Sequence, residues 1–385
     1  MSKLEKLARV KAALENREGD RVPVSDFFWT GFSKNARKIW GNGCDLYRKF
    51  DLDYIVINPN MDPIIKDFEV LREEGEDITV RTGFGAIVTR RGDIPMPHFS
   101  SFSVSEPEQL ADFVIESARD KRRLHRAGQD QMNCLGDQLG GPIPSWSNRV
   151  DSYVEDFPIF GSVCEGFEYL WRCVGTVEAL TWMLTNEEEF ADFVKRIGDF
   201  SVELARVQAE DGRLSGMYIW GDVAYVNAMM FSPELWRKYF KPIVKQIIDV
   251  CREAGLMTIY HGCGKADPIF EDFIELGLHG YNPLEAKAGL DAVKLKSQHG
   301  SRLAYVGNID VRALESGDKD VISREVLYKL KAAVGGGYIV QSDHSVSNDV
   351  SPESYEYMVS LVREYGVFPL DMEKIDGKLA ELDSK

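Results

Sequence analysis

Residues 216–263 read GMYIWGDVAYVNAMMFSPELWRKYFKPIVKQIIDVCREAGLMTIYHGC, and this stretch contains a complete strand–helix–strand unit. The short runs at its two ends are rich in β-branched and aromatic residues. Between them a helix is predicted from Pro233 to Ala254, with Ser232 as its cap and proline at the first helical position. Two parallel strands joined by a crossover helix are typical of an α/β fold.

The same pattern recurs along the chain on both sides of this unit. No G-x-G-x-x-G motif follows an early strand, which argues against an open dinucleotide-binding sheet. Eight units in order therefore predict a (β/α)8 TIM barrel. The eight predicted strands are RVPVSDFF (21–28), DYIVINPN (53–60), FPIFGSV (157–163), GMYIWGD (216–222), LMTIYHGC (256–263), LHGYNPLE (278–285), LAYVGNID (303–310) and GYIVQSDH (337–344).

Two segments extend beyond this repeating unit. The first 20 residues predict a charged amphipathic helix, and we expect it to form an N-terminal extension. The interval between the second and third strands is too long for one crossover helix, and residues 79–100 alternate like a β-hairpin. We therefore expect one domain over 1–385, with residues 64–150 forming an insertion or lid over the barrel mouth.

Charge and cysteine usage limit the class of protein. The net charge of -16, from 46 Lys and Arg against 62 Asp and Glu, argues against binding to nucleic acid or to an anionic membrane surface. No apolar run approaches the roughly 20 residues of a spanning helix, and the first residues lack the apolar core of a signal peptide. A cytoplasmic location is predicted, since six cysteines show no paired spacing: Cys44, Cys134, Cys164, Cys173, Cys251 and Cys263.

Catalytic groups of a TIM barrel lie just beyond the carboxyl ends of its strands. The residues at those positions are rich in metal-binding and acid–base side chains. They are Asp26, Asn58, Ser162, Asp222, His261, Cys263, Asn282, Glu285, Asn308, Asp343 and His344.

The strongest chemical signal is His261-Gly262-Cys263 at the end of the fifth strand. Residues two positions apart on an extended segment point the same way, so an imidazole and a thiolate can reach one ion. This donor pair suits Zn²⁺, and a catalytic zinc has three protein ligands and one open position. His344 is the preferred third ligand. A packed cysteine beside a histidine that hydrogen-bonds to a neighbouring strand is the structural alternative.

Further strand-end residues are candidates for catalysis and substrate binding. Asp222 and Glu285 are the predicted catalytic carboxylates and the alternative third metal ligands, although Asp222 also suits a turn and Glu285 a solvated loop. Aromatic side chains at strand ends predict an apolar, ring-accepting cavity. The predicted substrate-binding residues are Phe28, Trp29, Trp220, Tyr260 and Asn308.

Several motifs resemble the uroporphyrinogen decarboxylase superfamily over about residues 155–366. The resemblance implies a (β/α)8 barrel. It also implies one of two activities, a true decarboxylase or a corrinoid-dependent methyltransferase. The motifs are WGDVA (220–224), FSPELWRKYFKPI (231–243), YHGCG (260–264), YVGNID (305–310), GGYIVQSDHSV (336–346) and SPES (351–354).

The two branches differ in motifs that can be compared with this chain. Decarboxylases carry an arginine-rich R-Q-A-G-R-Y type motif for the carboxylates of a tetrapyrrole, whereas residues 22–31 contain no arginine. Carboxylates without such cations would meet uncompensated charge. The methyltransferase branch has a zinc motif, His-x-Cys followed about 80 residues later by Cys. His261 and Cys263 match its first two positions, and His344 occupies the third.

The resemblance therefore implies a zinc-dependent methyltransferase that moves a methyl group between a small substrate and the cobalt of a separate corrinoid protein. An ion with one thiolate fewer is more electrophilic and favours demethylation of an aromatic methyl ether. No D-x-H-x-x-G motif occurs, so the cobalamin is expected on a partner. The alternatives are a metal-free decarboxylase, a corrinoid-to-thiol methyltransferase and a binding barrel without catalysis.

Overall fold

The computed structural model describes residues 2–91, 94, 96–134 and 142–384. Residues 92, 93 and 95 of the predicted hairpin, and residues 135–141 of the predicted insertion, lie outside these ranges. Within them, no helix is long and apolar enough to cross a membrane.

A curled, seven-stranded parallel sheet forms the centre of an α/β fold of TIM-barrel type. Each strand coincides with one of the last seven predicted runs, although the strand in the run 157–163 extends to Cys164. Neighbours in the sheet are neighbours in sequence order, with the insertion between the first two. The carboxyl ends of all seven strands consequently meet at one rim. The strands are β1 (Ile55–Val56), β6 (Ile159–Cys164), β7 (Gly216–Trp220), β8 (Met257–His261), β9 (Gly280–Asn282), β10 (Ala304–Ile309) and β11 (Tyr338–Ser342).

The strand predicted over 21–28 does not form as a regular strand. Val24 makes an isolated parallel bridge with Val340 of β11, and its carbonyl accepts a hydrogen bond from the Asp53 amide, just before β1. Pro23 contributes no N–H to a ladder, which limits regular pairing in this short segment. The segment nevertheless lies between the two edge strands of the sheet and brings Asp26 and Phe27 to the rim.

A second, antiparallel sheet lies between β1 and β6 in the sequence. Its strands are β2 (Glu69–Glu74), β3 (Asp77–Arg81), β4 (Ile87–Arg91) and β5 (His98–Ser101), in that order. The hairpin expected over 79–100 is thus part of a four-stranded sheet. β2 is exposed along its whole length, so its sequence carries no apolar alternation that predicts a strand.

The helices flank the parallel sheet or cover its ends. They are α1 (Lys3–Leu14), α2 (Thr30–Trp40), α3 (Leu46–Lys49), α4 (Arg122–His125), α5 (Gln131–Cys134), α6 (Trp146–Tyr153), α7 (Gly166–Val174), α8 (Thr176–Thr185), α9 (Glu187–Glu210), α10 (Pro233–Tyr239), α11 (Lys241–Glu253), α12 (Phe270–Leu276), α13 (Ala292–His299), α14 (Val311–Glu315), α15 (Lys319–Leu330), α16 (Pro352–Tyr365) and α17 (Met372–Asp383).

The single helix predicted from Pro233 to Ala254 is wrong in one respect, because it forms as two helices, α10 and α11. The break lies at Phe240, two residues before Pro242. Pro242 has no N–H to donate to the preceding turn, which accounts for the interruption. The Ser232 cap is confirmed, since its hydroxyl accepts a hydrogen bond from the Leu235 amide at 3.3 Å.

A compact apolar cluster fills the inside of the parallel sheet and supports the rim. Side chains of β1, β6, β7, β8, β10 and β11 pack there against Val10, Ala13 and Leu14 of α1. Trp220 and Phe27 lie against this cluster as partly buried residues. The rim residues above it therefore rest on a dry, well-packed base, which limits their rotamer freedom.

Candidate metal centre

The last residues of β7, β8 and β9 lie side by side at the rim. Trp220 pairs with His261, and His261 pairs with Asn282. The turns that follow β7 and β8 are hydrogen-bonded to these strand ends. The Gly221 amide donates to the His261 carbonyl, and the Gly262 amide donates to the Asn282 carbonyl, each at 2.8 Å. His261 is thereby fixed at the middle of three adjacent strand ends.

Asn282 sets the orientation of the His261 ring. Its side-chain nitrogen donates to the Val306 carbonyl at 3.0 Å, so its oxygen faces His261 Nδ1 at 2.6 Å. Nδ1 must then carry the proton and donate it to that oxygen. The remaining nitrogen, Nε2, keeps its lone pair and lies 3.6 Å from Cys263 Sγ.

Carboxylates hold the loop that carries Cys263. Asp222 Oδ1 accepts a hydrogen bond from the Cys263 amide at 2.8 Å, and the same oxygen lies 3.9 Å from His261 Nε2. The Asp222 amide in turn donates to Glu168 Oε2 at 3.2 Å. Glu168 belongs to α7, so the strand-end loop is tied to a helix of the outer layer.

The ligand atoms of four predicted residues converge on the thiol of Cys263. Asp222, His261 and Cys263 form one group, and Cys263, Glu285 and His344 form a second; within each group the atoms lie within 4.8 Å of one another. His261 and His344 do not occur together in either group. Two tetrahedral zinc ligands, one nitrogen and one sulfur, lie about 3.6 Å apart, which matches the observed separation of His261 Nε2 and Cys263 Sγ. The donor set fits a zinc ion.

Burial and like charges control the protonation of these groups. Burial, together with the nearby carboxylates of Asp222 and Glu285, raises the pKa of the Cys263 thiol well above its usual value. Burial lowers the pKa of His344, so its imidazole is neutral and can offer a lone pair. A divalent cation would offset the carboxylates and favour the thiolate.

Aromatic rings border the two imidazoles. The Trp220 ring lies 4.7 Å from His261, and the Trp29 ring lies 5.3 Å from His344, both as ring-centre distances. Phe28 packs instead against Phe32. Its neighbour Phe27, which had no predicted role, lies 6.3 Å from His261. Adjacent residues of an extended segment point to opposite sides, which explains why Phe27, and not Phe28, lies near His261.

Tyr260 and Asn308 are not brought to this cluster. The Tyr260 hydroxyl donates to the Gly221 carbonyl, and its ring packs 4.4 Å from Phe273. Both the nitrogen and the oxygen of the Asn308 side-chain amide are hydrogen-bonded to other parts of the protein. It donates to the carbonyls of Leu284 and Leu290, and it accepts from the Ala292 amide and from Lys329. These bonds hold the loop that follows β9, and this loop carries Glu285.

The relationship of the chain to known proteins follows from its central and C-terminal part. A sequence model of the uroporphyrinogen decarboxylase (URO-D) family matches residues 148–365, which is more than half of the 385 residues. The chain belongs to the uroporphyrinogen decarboxylase family. Cys263 and the four residues that converge on it all lie in the matched part.

Relatives with two different activities match this URO-D family protein. The uroporphyrinogen decarboxylase of Thermus thermophilus is 32% identical over 148 residues, which cover 37% of this chain and 39% of that protein. The methylcobamide:CoM methyltransferase MtbA of Methanosarcina acetivorans is 23% identical over 189 residues, which cover 48% of this chain and 52% of that protein. The chain thus spans about half or less of the length of these curated relatives.

A solved structure extends the likeness along nearly the whole chain. A methyltransferase from Methanosarcina mazei superposes with a TM-score of 0.64 and 17% identity, over 93% of this chain and 98% of that one. At this identity the likeness shows the fold alone. The two chains therefore share one fold.

Removing the orienting amide of Asn282 tests its role in this URO-D family protein. We expect Asn282→Ala to weaken zinc binding by about 10- to 100-fold, because the His261 ring loses the acceptor that fixes its tautomer. Competition with a chelating dye measures this change. Asn58→Ala, which alters another strand-end asparagine, is the matched control and should leave the affinity unchanged. Equal affinities for all three proteins would contradict the role of Asn282.

Glu165, next to the Asp222 loop, should make stability depend on pH. Burial first, and then the carboxylates of Glu168 and Asp222, raise its pKa from 4.5 to about 8. The folded chain thus holds this proton more tightly than the unfolded chain. The resulting stabilisation is complete below pH 4.5 and is lost as the pH rises towards 8.

Glu165→Gln removes this titration and keeps the acceptor for the Phe167 amide. Between pH 5 and 8, the free energy of unfolding should fall further in the wild type than in the variant, by about 2 kcal/mol or more. Urea unfolding at several pH values measures the difference. Glu253→Gln, at an exposed position, should follow the wild type. Parallel curves for wild type and Glu165→Gln would show that Glu165 is ionised in the folded chain.

Proposed function

We propose that this protein is a zinc-dependent methyltransferase that moves a methyl group between a small substrate and the cobalt of a separate corrinoid protein. The observation that carries the proposal is the convergence of two imidazoles and two carboxylates on one thiol at the rim. The relatives include methylcobamide:CoM methyltransferases, which agrees with this class of reaction.

The proposed ligands are His261, Cys263 and His344. His261 is already oriented, with Nε2 directed towards Cys263 Sγ. His344 is neutral through burial and lies in the same group as Cys263. His261 and His344 lie in different groups that share Cys263, so an ion held by all three residues would need the two imidazoles to face the same point. Such a set leaves one position for substrate.

The carboxylates beside the ligands would handle protons. A zinc ion supplies Lewis acidity to the oxygen or sulfur atom from which the methyl group departs. Burial and the nearby Glu168 carboxylate raise the pKa of Asp222, which brings it closer to the range of a general acid. Glu285 is buried in the group that also contains Cys263 and His344, where its carboxylate would offset the charge of a bound cation.

The charges at the rim favour methyl transfer over decarboxylation of a tetrapyrrole. The nearby Glu168 is ion-paired with Arg172, which leaves Asp222 and Glu285, the latter 3.6 Å from Lys287, as the carboxylates that surround Cys263. A substrate with many carboxylates would be repelled by them. Arg21, just before the arginine-free stretch 22–31, is bound to buried Asp53. The same carboxylates would attract a divalent cation.

The rings at the rim suit an aromatic methyl donor. Trp220 and Phe27 lie at His261, and Trp29 lies at His344, so rings approach the ligand cluster from two sides. Aromatic rings bind one another in offset or edge-on arrangements. We therefore propose an aromatic methyl ether as the substrate and demethylation as the direction.

A reconstituted transfer assay tests this function. The purified protein with zinc is incubated with a reduced Co(I) corrinoid protein and a methoxyarene, and formation of methylcobalt is followed by its absorption spectrum. We expect methylcobalt to form with the zinc-containing protein. No methylcobalt should form after a chelator has removed the metal. Transfer to thiols with no demethylation of any methoxyarene would favour the corrinoid-to-thiol reaction. Chelator-resistant decarboxylation would overturn the proposal.

A further inference from the structure

A cavity lies apart from the residues proposed to bind zinc. It has a volume of about 430 Å³ and is lined by residues of α2, of the segment 42–47 and of α6. Neither Cys263 nor any of the four residues that converge on it lines this cavity. Its volume is in the range of small-molecule sites.

Two arginines line this cavity without a hydrogen-bonded or ion-paired partner among the residues that the structure describes. Most described arginine side chains bind a carboxylate or a carbonyl, as expected in a chain of net charge -16. For Arg37 and Arg149, the described part of the chain provides no side-chain hydrogen bond and no ion pair within 4.0 Å. Both guanidinium groups therefore remain available for a ligand in the cavity.

The acidic group in the lining does not neutralise these arginines. Asp45 Oδ2 binds Arg48 at 2.7 Å, and its Oδ1 accepts a hydrogen bond from the Arg48 amide. The charge of Arg149 favours the ionised form of the Asp130 carboxylate. The oxygens of Asp130, however, accept hydrogen bonds from the side chain and the backbone of Asn133. The cavity thus keeps a surplus of positive charge.

Aromatic side chains complete the lining. Phe28, Tyr47 and Tyr153 all border the cavity, and the rings of Tyr47 and Tyr153 lie 6.1 Å apart, edge to face. Burial raises the pKa of Tyr47, so its hydroxyl stays protonated and is available as a donor. Flat rings next to a guanidinium match a ligand that has both an aromatic ring and an anionic group.

We propose that this cavity binds a small aromatic carboxylate, with Arg37 and Arg149 on the carboxylate and the rings of Phe28, Tyr47 and Tyr153 against its aromatic part. A planar guanidinium forms paired hydrogen bonds with a carboxylate. This site does not use zinc, so binding to it neither requires nor tests the proposed methyl transfer.

Titration calorimetry of the full chain with benzoate, in phosphate-free buffer, tests the site. Arg37→Gln and Arg149→Gln should each weaken benzoate binding by about tenfold or more, the loss expected for one charged hydrogen bond. Benzamide, which lacks the charge, should bind more weakly by a similar factor. Lys38→Gln removes a positive charge from the same helix outside the cavity and should bind benzoate like the wild type.

Other outcomes would overturn the proposal. They are benzoate binding that is absent or is unchanged in both arginine variants, and phosphate binding more tightly than benzoate. Neither arginine loses a hydrogen bond or an ion pair to any residue in the described ranges, so the variants should keep the wild-type unfolding temperature, which is measured in parallel. The same titrations on chelator-treated protein should give equal affinities, which separates this result from any failure of the zinc proposal.

Discussion

Cys263→Ser is expected to lower methyl transfer by about a thousandfold or more, which corresponds to roughly 4 kcal/mol of lost transition-state stabilisation. Among the described residues, Cys263 alone belongs to both groups of convergent ligand atoms, so its substitution affects either possible ligand set. A hydroxyl is a poor zinc ligand at neutral pH, so the ion and its Lewis acidity should be lost together. The initial rate of methylcobalt formation and the zinc content per chain measure the effect.

Cys251→Ser is the matched control for this substitution. Cys251 is buried on α11, away from the rim, and the same exchange of sulfur for oxygen should leave zinc content and rate near those of the wild type. His261→Ala should behave like Cys263→Ser. If Cys263→Ser keeps both its zinc and its rate while remaining folded, the proposed chemistry is wrong.

The second large effect concerns the third ligand. We expect His344→Gln to weaken zinc binding by about 100-fold or more, since a lost ligand costs several kcal/mol. Asp222→Asn keeps an oxygen that can accept the hydrogen bond from the Cys263 amide. This variant should therefore weaken zinc binding by only about tenfold or less, but it should lower the transfer rate. Competition with a chelating dye and the methylcobalt assay give the two values.

The losses of zinc affinity in His344→Gln and Asp222→Asn, compared with each other, show which of the two groups of residues binds the ion. A larger loss in Asp222→Asn than in His344→Gln would assign the ion to Asp222, His261 and Cys263 instead. Glu285→Gln adds a further comparison, because Glu285 shares its group with His344. A loss of affinity in Glu285→Gln as large as in His344→Gln would indicate a carboxylate ligand.

Much of the fold follows from local sequence patterns. The strands β6 to β11 are short, apolar and bounded by turn residues, so their positions could be read from composition alone. β2 could not, because its side chains are exposed and its pairing depends on β3. The break between α10 and α11 was signalled by Pro242, but the amphipathic pattern on both sides obscured it.

The residues of the candidate site that could be predicted from sequence are those whose side chains are common metal ligands or acid–base groups. His261, Cys263, Asp222, Glu285 and His344 all lie at strand ends, and the structure brings their ligand atoms into two groups that share Cys263. Proximity in three dimensions was needed for the supporting residues. Asn282 acts through a neighbouring strand, Glu168 through a helix, and Tyr260 and Asn308 proved to serve internal contacts.

X-ray absorption at the zinc edge of the purified protein gives the most direct test of the central claim. We expect one sulfur at about 2.3 Å together with nitrogen or oxygen ligands at about 2.0 to 2.2 Å, and loss of the sulfur signal in Cys263→Ser. Protein that takes up no zinc, or a zinc spectrum without any sulfur neighbour, would contradict a metal centre built on Cys263.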